Sequence, residues 1–327
     1  MKVVELLAQR RASWQELDLL CARMQGLKGR SLKPEESLRF SDLYRAACAD
    51  LALADAYQLP PNTIQFLHRL VGRAHNQLYR SEPFVVSRWK DILFHDAPQY
   101  IFGDKCVQVV FFVFWGIFIL SAILANLEQR FPGYAETMIG EQQMEQLQQN
   151  FSEPTRGRPF NLNLIMAAFY ISHNTGIGLK CFAGGLAIVP GIYLTTYNAA
   201  ALGASFGYMA RDSVKQGDNF FEFVTAHGPF ELTAIVLAAG AGLRLGVSFV
   251  ATRGWNRADS LRITARDAMP IMGASMVLFF LAALTEAFIS PSALPYFVKA
   301  MIAVFDSALL LVYFVVLGYP RGKKHAL

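Results

Sequence analysis

Residues 107–126 read V-Q-V-V-F-F-V-F-W-G-I-F-I-L-S-A-I-L-A-N, about 20 residues without a charged side chain. A helix of that length rises about 30 Å, the thickness of a bilayer's hydrocarbon core. Hydrocarbon cannot satisfy a free backbone N–H or C=O, so a spanning run must be a helix or a strand of a closed barrel. The run shows no period-2 alternation, which leaves the helix. Comparable runs follow at about 160–179, 182–209, 229–252, 269–289 and 297–318. The expected fold is all-α: a polytopic membrane protein with about six transmembrane helices over residues 106–320.

The residues before this region have another character. Residues 1–105 hold 15 of the 30 Lys/Arg and 12 of the 25 Asp/Glu, an ordinary density for a soluble domain. Three amphipathic helices are expected over residues 1–88. Ser13 to Glu16 makes a capping-box pattern, with Trp14, Leu17, Leu20, Cys21 and Met24 on one face. Pro34 opens a second helix with Glu35 and Glu36 beside it, and its apolar stripe is Leu38, Leu43, Ala47, Leu51 and Ala54. Pro60-Pro61 breaks it, and Ile64, Leu67, Leu70, Val71, Ala74 and Leu78 mark a third. Residues 89–105 mix aromatics with charge, which suits an interfacial helix lying on the membrane; a last core helix of the domain is the alternative. Residues 1–25 carry charges throughout and no apolar core, so no signal peptide is expected. Cys21, Cys48, Cys106 and Cys181 have no metal-ligand spacing and read as reduced thiols.

Orientation follows the Lys/Arg bias of short loops. Arg88, Lys90 and Lys105 precede the first span; Arg253, Arg257, Arg262 and Arg266 lie between the fourth and fifth; Arg321, Lys323 and Lys324 fall in the basic tail 321–327. An even number of spans, split near Lys180, puts all three clusters in the cytoplasm of a bacterial inner membrane, with both termini inside and loop 127–159 outside. The net charge of +5 includes no longer basic run, so nucleic acid is not an expected partner.

Ionisable side chains inside such spans are costly and mark candidate sites. By inferred depth they form three groups. His227, Glu231 and Glu286 fall near the outer face, with the first two on one helix face. Asn198, Arg244 and Asp306 fall near mid-membrane, where an Arg244–Asp306 ion pair is expected. His173, Asn174 and Lys180 fall toward the inner face. The outer group has the chemistry of a proton relay, a cation site or a metal site, but Glu231 also suits a first-turn helix cap. Small residues at four-residue spacing mark packing faces: Ala199, Gly203 and Gly207 in the third span, and Ala234, Ala238, Gly242 and Gly246 in the fourth.

No phosphate-binding loop, nucleophile elbow or H-E-x-x-H motif is present, so the common soluble enzyme classes are not expected, and neither is a catalytic residue, a cofactor or a resident metal. Five segments together resemble the stage II sporulation protein M family of bacterial integral membrane proteins. They are His173-Asn174, the Gly184-Gly185 region leading to Asn198-Ala-Ala-Ala-Leu-Gly203, His227-Gly-Pro-Phe-Glu231-Leu, Gly240-Ala-Gly-Leu-Arg244-Leu-Gly246, and Ala282-Ala-Leu-Thr-Glu286-Ala-Phe-Ile. Leu43-Tyr-Arg45, Asp50-Leu-Ala and Val71-Gly-Arg-Ala-His75 resemble its extended, non-sporulation branch. Asn198-Ala199 departs from the family's expected Asn-Gly. The resemblance implies a non-enzymatic membrane scaffold linked to envelope remodelling. Its implied partners are other membrane or cytoplasmic proteins such as a MoxR-type AAA+ ATPase system; the apolar runs themselves imply the lipid bilayer, and the surface left by the aromatic first span and the small helices suits further copies of the chain. The alternative is a channel or transporter for protons, ions or a small polar or lipid substrate. A membrane-embedded metal-dependent hydrolase at His227, Glu231 and Glu286 is the reading the residues support least.

Overall fold

A computed structural model describes residues 9–24, 34–78, 90–154 and 157–319. The expected basic tail 321–327 and Arg88 lie outside the described residues, as does Trp89 at the start of the expected interfacial helix. The chain forms two compact units, Met1–Val85 and Val86–Leu327. All regular elements among the described residues are helical.

The first unit is a three-helix assembly of α1 (Arg11–Met24), α2 (Pro34–Ala56) and α3 (Pro61–Leu78). Trp14, Leu17, Leu20 and Cys21 of α1 pack with Phe40, Leu43, Ala47 and Ala54 of α2 and Leu67, Leu70 and Ala74 of α3. The expected stripe of α2 needs one correction. Leu38 is 71% exposed and Phe40 is buried instead, because a 3.6-residue period running through Leu43, Ala47 and Ala54 reaches back to position 40, not 38. Inside this core the indole Nε1 of Trp14 donates to Asp50 Oδ2 at 2.8 Å, and Arg10 lies 3.4 Å from the other carboxylate oxygen. The α2–α3 turn holds Gln58 at a left-handed φ of 47°, after which Pro61 opens α3.

The second unit begins with a π-helical turn (Ile92–Asp96) and a short helix, α4 (Ala97–Gly103). The long helices follow: α5 (Lys105–Asn126), α8 (Phe160–Gly185), α9 (Val189–Met209), α11 (Gly228–Val250), α12 (Arg257–Leu284) and α13 (Tyr296–Leu311). The last two each continue as a π-helical segment, to Ile289 and Leu317. Four of these stretches, Lys105–Asn126, Gly228–Val250, Arg257–Ile289 and Tyr296–Leu317, are long and apolar enough to cross a membrane. The break expected near Lys180 does not occur there. Helix α8 runs five residues further, and the chain turns through Leu186–Ile188, with Ile188 at a φ of 56°. No helix breaker sits at 180, whereas the Gly184-Gly185 pair ends α8 and Pro190 opens α9. The expected fifth span starts at 269, but α12 begins at Arg257, capped by Asn256 Oδ1 accepting from Asp259 N. Loop 127–159 contains two helices, α6 (Tyr134–Ile139) and α7 (Glu141–Asn150), and α10 (Gly217–Val224) follows α9.

Helix α11 is the axis of the bundle. Every residue from Ala234 to Gly242 is buried. Its small-residue face lies backbone to backbone on α8: a Cβ on Gly242 would come within 2.8 Å of the Phe182 Cα, and one on Gly185 within 2.6 Å of the Leu243 nitrogen. Ala234 accepts from Ser275 Oγ of α12 at 2.7 Å, where the neighbouring helix supplies a donor in an apolar setting. The ladder of α9 serves another pairing. Gly203 and Gly207 face the Phe118 and Ala122 backbones of α5, so that face of α9 packs on α5. Helix α5 turns its other side outward, with Phe112 and Leu120 exposed.

A side chain at Gly242 has only backbone to meet, so Gly242→Val should force the two helices apart, at a cost of about 1–3 kcal/mol or more. Gly116 of α5 has open space around its missing Cβ. Gly116→Ala should therefore leave the thermal melting midpoint in detergent unchanged or slightly raised, while Gly242→Val lowers it.

Candidate functional site

The polar side chains of the second unit collect toward the two ends of α11. At its start, Pro229 and Glu231 follow the N-cap residue His227 in the first helical turn. The four-residue spacing puts His227 and Glu231 on one face, with His227 Nε2 3.6 Å from Glu231 Oε2. The facing element is the π-helical end of α12, which presents Glu286 and, just beyond, Ser290. His227 Nδ1 lies 2.9 Å from Ser290 Oγ, a hydrogen bond that orients the ring. Glu286 Oε2 accepts from Asn174 Nδ2 of α8 at 3.1 Å.

Next to this cluster, Lys299 of α13 is almost fully buried. It donates to the Ser290 carbonyl at 2.9 Å and to Glu222 Oε1 of α10 at 3.2 Å. Helices α8, α10, α11, α12 and α13 are thus joined by polar side chains at one end of the bundle. Arg158 flanks the cluster with its guanidinium 5.9 Å from the Phe223 ring centroid, and its Nη1 is buried with no hydrogen-bond partner among the described residues. His227, Glu231 and Glu286 each offer one ligand atom, and the three atoms lie within 4.8 Å of one another. Among the described residues, this is a group of side chains close enough to hold a metal.

At the other end of α11, Arg244 binds two carboxylates. One is Asp104, in a short contact; the other is Asp267 of α12, at 2.7 Å. Asp104 is also the N-cap of α5, accepting from Val107 N at 2.9 Å. This corrects the expected Arg244–Asp306 pair. Asp267 lies before the expected fifth span at 269 but inside α12, and Asp104 lies before the expected first span at 107 but caps α5. Both stand level with Arg244 once α5 and α12 start where they do. Asp306 is buried, and its Oδ2 has no partner among the described residues. Asn198, expected in the same mid-membrane group, bonds its own helix, donating to the Leu194 carbonyl at 2.7 Å.

The expected inner group also divides. Asn174 belongs with Glu286, because α8 runs antiparallel to α12 and is long enough to bring its middle against the α12 end. His173 is exposed and stacks on Phe169 at 5.5 Å, and Lys180 is exposed. Ala238, Gly242 and Gly246 of α11 are buried, as are Gly203 and Gly207 of α9. Sequence reasoning passed over Lys299, Glu222, Ser290, Asp104 and Asp267. Lys299 had a readable signal, a lysine inside the expected sixth span. The other four look like loop or cap residues in one dimension.

Long apolar helices around a close-packed glycine-rich axis, with their charges paired toward the helix ends, define a helical membrane protein. The family profile for stage II sporulation protein M matches residues 108–291. The chain belongs to that family. Residues 4–80 match a domain family of unknown function. Comparison with curated proteins and with solved structures gives no match.

Removing Arg244 would leave Asp104 buried without its cation, while Asp267 is a third exposed and can be hydrated. Arg244→Ala should therefore cost on the order of 3 kcal/mol. Asp267→Ala should cost less than half as much. Asp104→Asn, which keeps the cap, should be milder than Asp104→Ala. Melting midpoints of the four variants in one detergent give the ranking.

Proposed function

We propose that this protein is a non-enzymatic scaffold of the bacterial inner membrane, anchoring partner proteins in an assembly that acts on the envelope. Its second unit crosses the bilayer six times, with α8 and α9 as the second and third spans and both termini in the cytoplasm. The observation that carries the scaffold reading is the unbroken burial of α11 from Ala234 to Gly242. That stretch is apolar and separates Glu231 from Arg244 by about 20 Å at 1.5 Å per residue. A transport path along α11 would need polar or water-lined surface in that interval. A second support is the separate N-terminal helical unit, which has its own core and offers a surface for cytoplasmic partners such as a MoxR-type AAA+ ATPase. The folded segment of α6 and α7 offers a further surface on the opposite side of the membrane. Self-association would cover part of the apolar face of α5 and α13.

Two experiments test this reading. Purification of the full chain from native membranes should recover a defined set of membrane and cytoplasmic proteins. The same set should co-elute with Glu286→Gln, since the polar cluster is not the docking surface. Proteoliposomes showing proton or ion flux that Glu231→Gln abolishes would instead establish the transporter. The topology is read by thiol labelling of intact cells in a cysteine-free background. Gln143→Cys in α7 should react with a membrane-impermeant reagent, and Arg262→Cys in α12 should stay protected until the cells are opened. Protection of both, or labelling of both, contradicts six spans.

A further inference from the structure

We propose that His227, Glu231 and Glu286 form a binding site for one divalent transition-metal ion, with zinc as the working probe. The donor set is one imidazole and two carboxylates, a combination that suits zinc and its first-row neighbours and leaves one coordination position open. Magnesium and calcium take all-oxygen shells, so the imidazole argues against them. His227 and Glu231 stand one turn apart on a single helix face, and Glu286 approaches from the π-helical end of α12. The three donor atoms already lie within 4.8 Å of one another. Ligands around a tetrahedral zinc are about 3.3 Å apart, so rotation of the two carboxylate side chains closes the site.

Three further observations point to a cation. The first is the orientation of the outer partners. Ser290 Oγ engages His227 Nδ1, which leaves Nε2 facing Glu231 as the ligating nitrogen. Asn174 holds one oxygen of Glu286, and the other has no hydrogen bond among the described residues. Metal-binding histidines and carboxylates are held by outer hydrogen bonds of this type. The second observation is charge. Glu231 and Glu286 are mostly buried and face one another, and neither forms an ion pair with Lys or Arg among the described residues. Lys299 is committed to Glu222, and Arg158, the further cation close enough to act on Glu286, stands against Phe223 and makes no salt bridge to either carboxylate among the described residues. A divalent ion would neutralise the two carboxylates where solvation is poor. The third is rigidity: Glu231 and Glu286 stand on helical segments and His227 is the N-cap of α11, and Ser290 and Lys299 tie these elements together. A bound ion would join the start of α11 to the end of α12 and lock that end of the bundle.

The test uses the full chain with a histidine-free affinity tag, purified in detergent. The protein is stripped with EDTA, dialysed against zinc, washed and analysed for metal and for its melting midpoint. Wild type should hold one zinc per chain and melt higher with zinc than without it. His227→Gln and Glu286→Gln should each hold less than about a tenth of that amount, and Asp306→Asn should hold as much as wild type. If the first two variants fail to elute as folded protein, Ser290→Ala keeps the three donors and the backbone carbonyl that binds Lys299. It should remain folded and bind zinc about 10- to 100-fold more weakly. Wild type that takes up no zinc would overturn the proposal in favour of a proton shared between the carboxylates. Equal zinc in wild type and all variants, including Ser290→Ala, would place the metal elsewhere on the chain and overturn it as well.

Discussion

The second unit depends on how closely α8 and α11 approach. In a bilayer the lipid tails are as apolar as the helix faces, so burying leucines against each other yields little net attraction. What remains is dispersion between surfaces that fit, together with a few interhelical hydrogen bonds. Gly185, Gly242 and Gly246 let two backbones meet with no side chain between them. That contact puts α11 at the centre, and α12 then packs along its other side with Ser275 bonded to its carbonyl ladder. Gly203 and Gly207 repeat the device between α9 and α5. The bulky aromatic side of α5 is left for the periphery.

The same packing explains where charge can sit. The middle of α11 is buried and apolar, lying on the α8 backbone along its glycine face and bordering an apolar cavity of about 810 Å³ at Val236 and Leu237, so its ionisable groups stand toward the ends. At one end Arg244 bridges Asp104 and Asp267 and thereby joins α5, α11 and α12. At the other end, His227, Glu231, Glu286, Asn174, Ser290, Lys299 and Glu222 bring five helices together. Both assemblies fix helix register. The second also carries two carboxylates and an imidazole that form no salt bridge with Lys or Arg among the described residues, which a register device does not require.

Much of the fold was legible because it rests on short-range rules. Long apolar runs marked α5, α11 and α13, and the Trp14-to-Met24 stripe marked α1. Legibility failed where a decision depended on a neighbour. Position 38 or 40 on α2 is a choice of helix face, and only the packed α1 and α3 make Phe40 the inner residue. Gly184-Gly185 stands out as a motif, yet the expected helix end falls near Lys180, because a lysine in a span looks like a boundary when its exposure is unknown. Matching charge and inferred depth pairs Arg244 with Asp306. The expected start at 269 lies 12 residues, a little over three turns, past the start of α12, and the expected start at 107 lies two residues past that of α5, so Asp267 and Asp104 both fall outside the expected spans.

Hydropathy and length alone determined that this chain enters a bilayer as helices, since the cost of bare backbone in hydrocarbon allows little else. The i, i+4 spacing alone put His227 and Glu231 on one face, and the small-residue ladders alone announced close helix contacts. Which helices meet through those ladders was decided only in three dimensions, because a glycine face is complementary to many others and specifies no partner by itself. The tertiary structure also decided that Glu286 and Asn174 join His227 and Glu231, a meeting of residues more than a hundred positions apart. Their assembly follows from the antiparallel run of α8 against α12 and from the π-helical end that turns Glu286 toward α11, neither of which a linear pattern encodes.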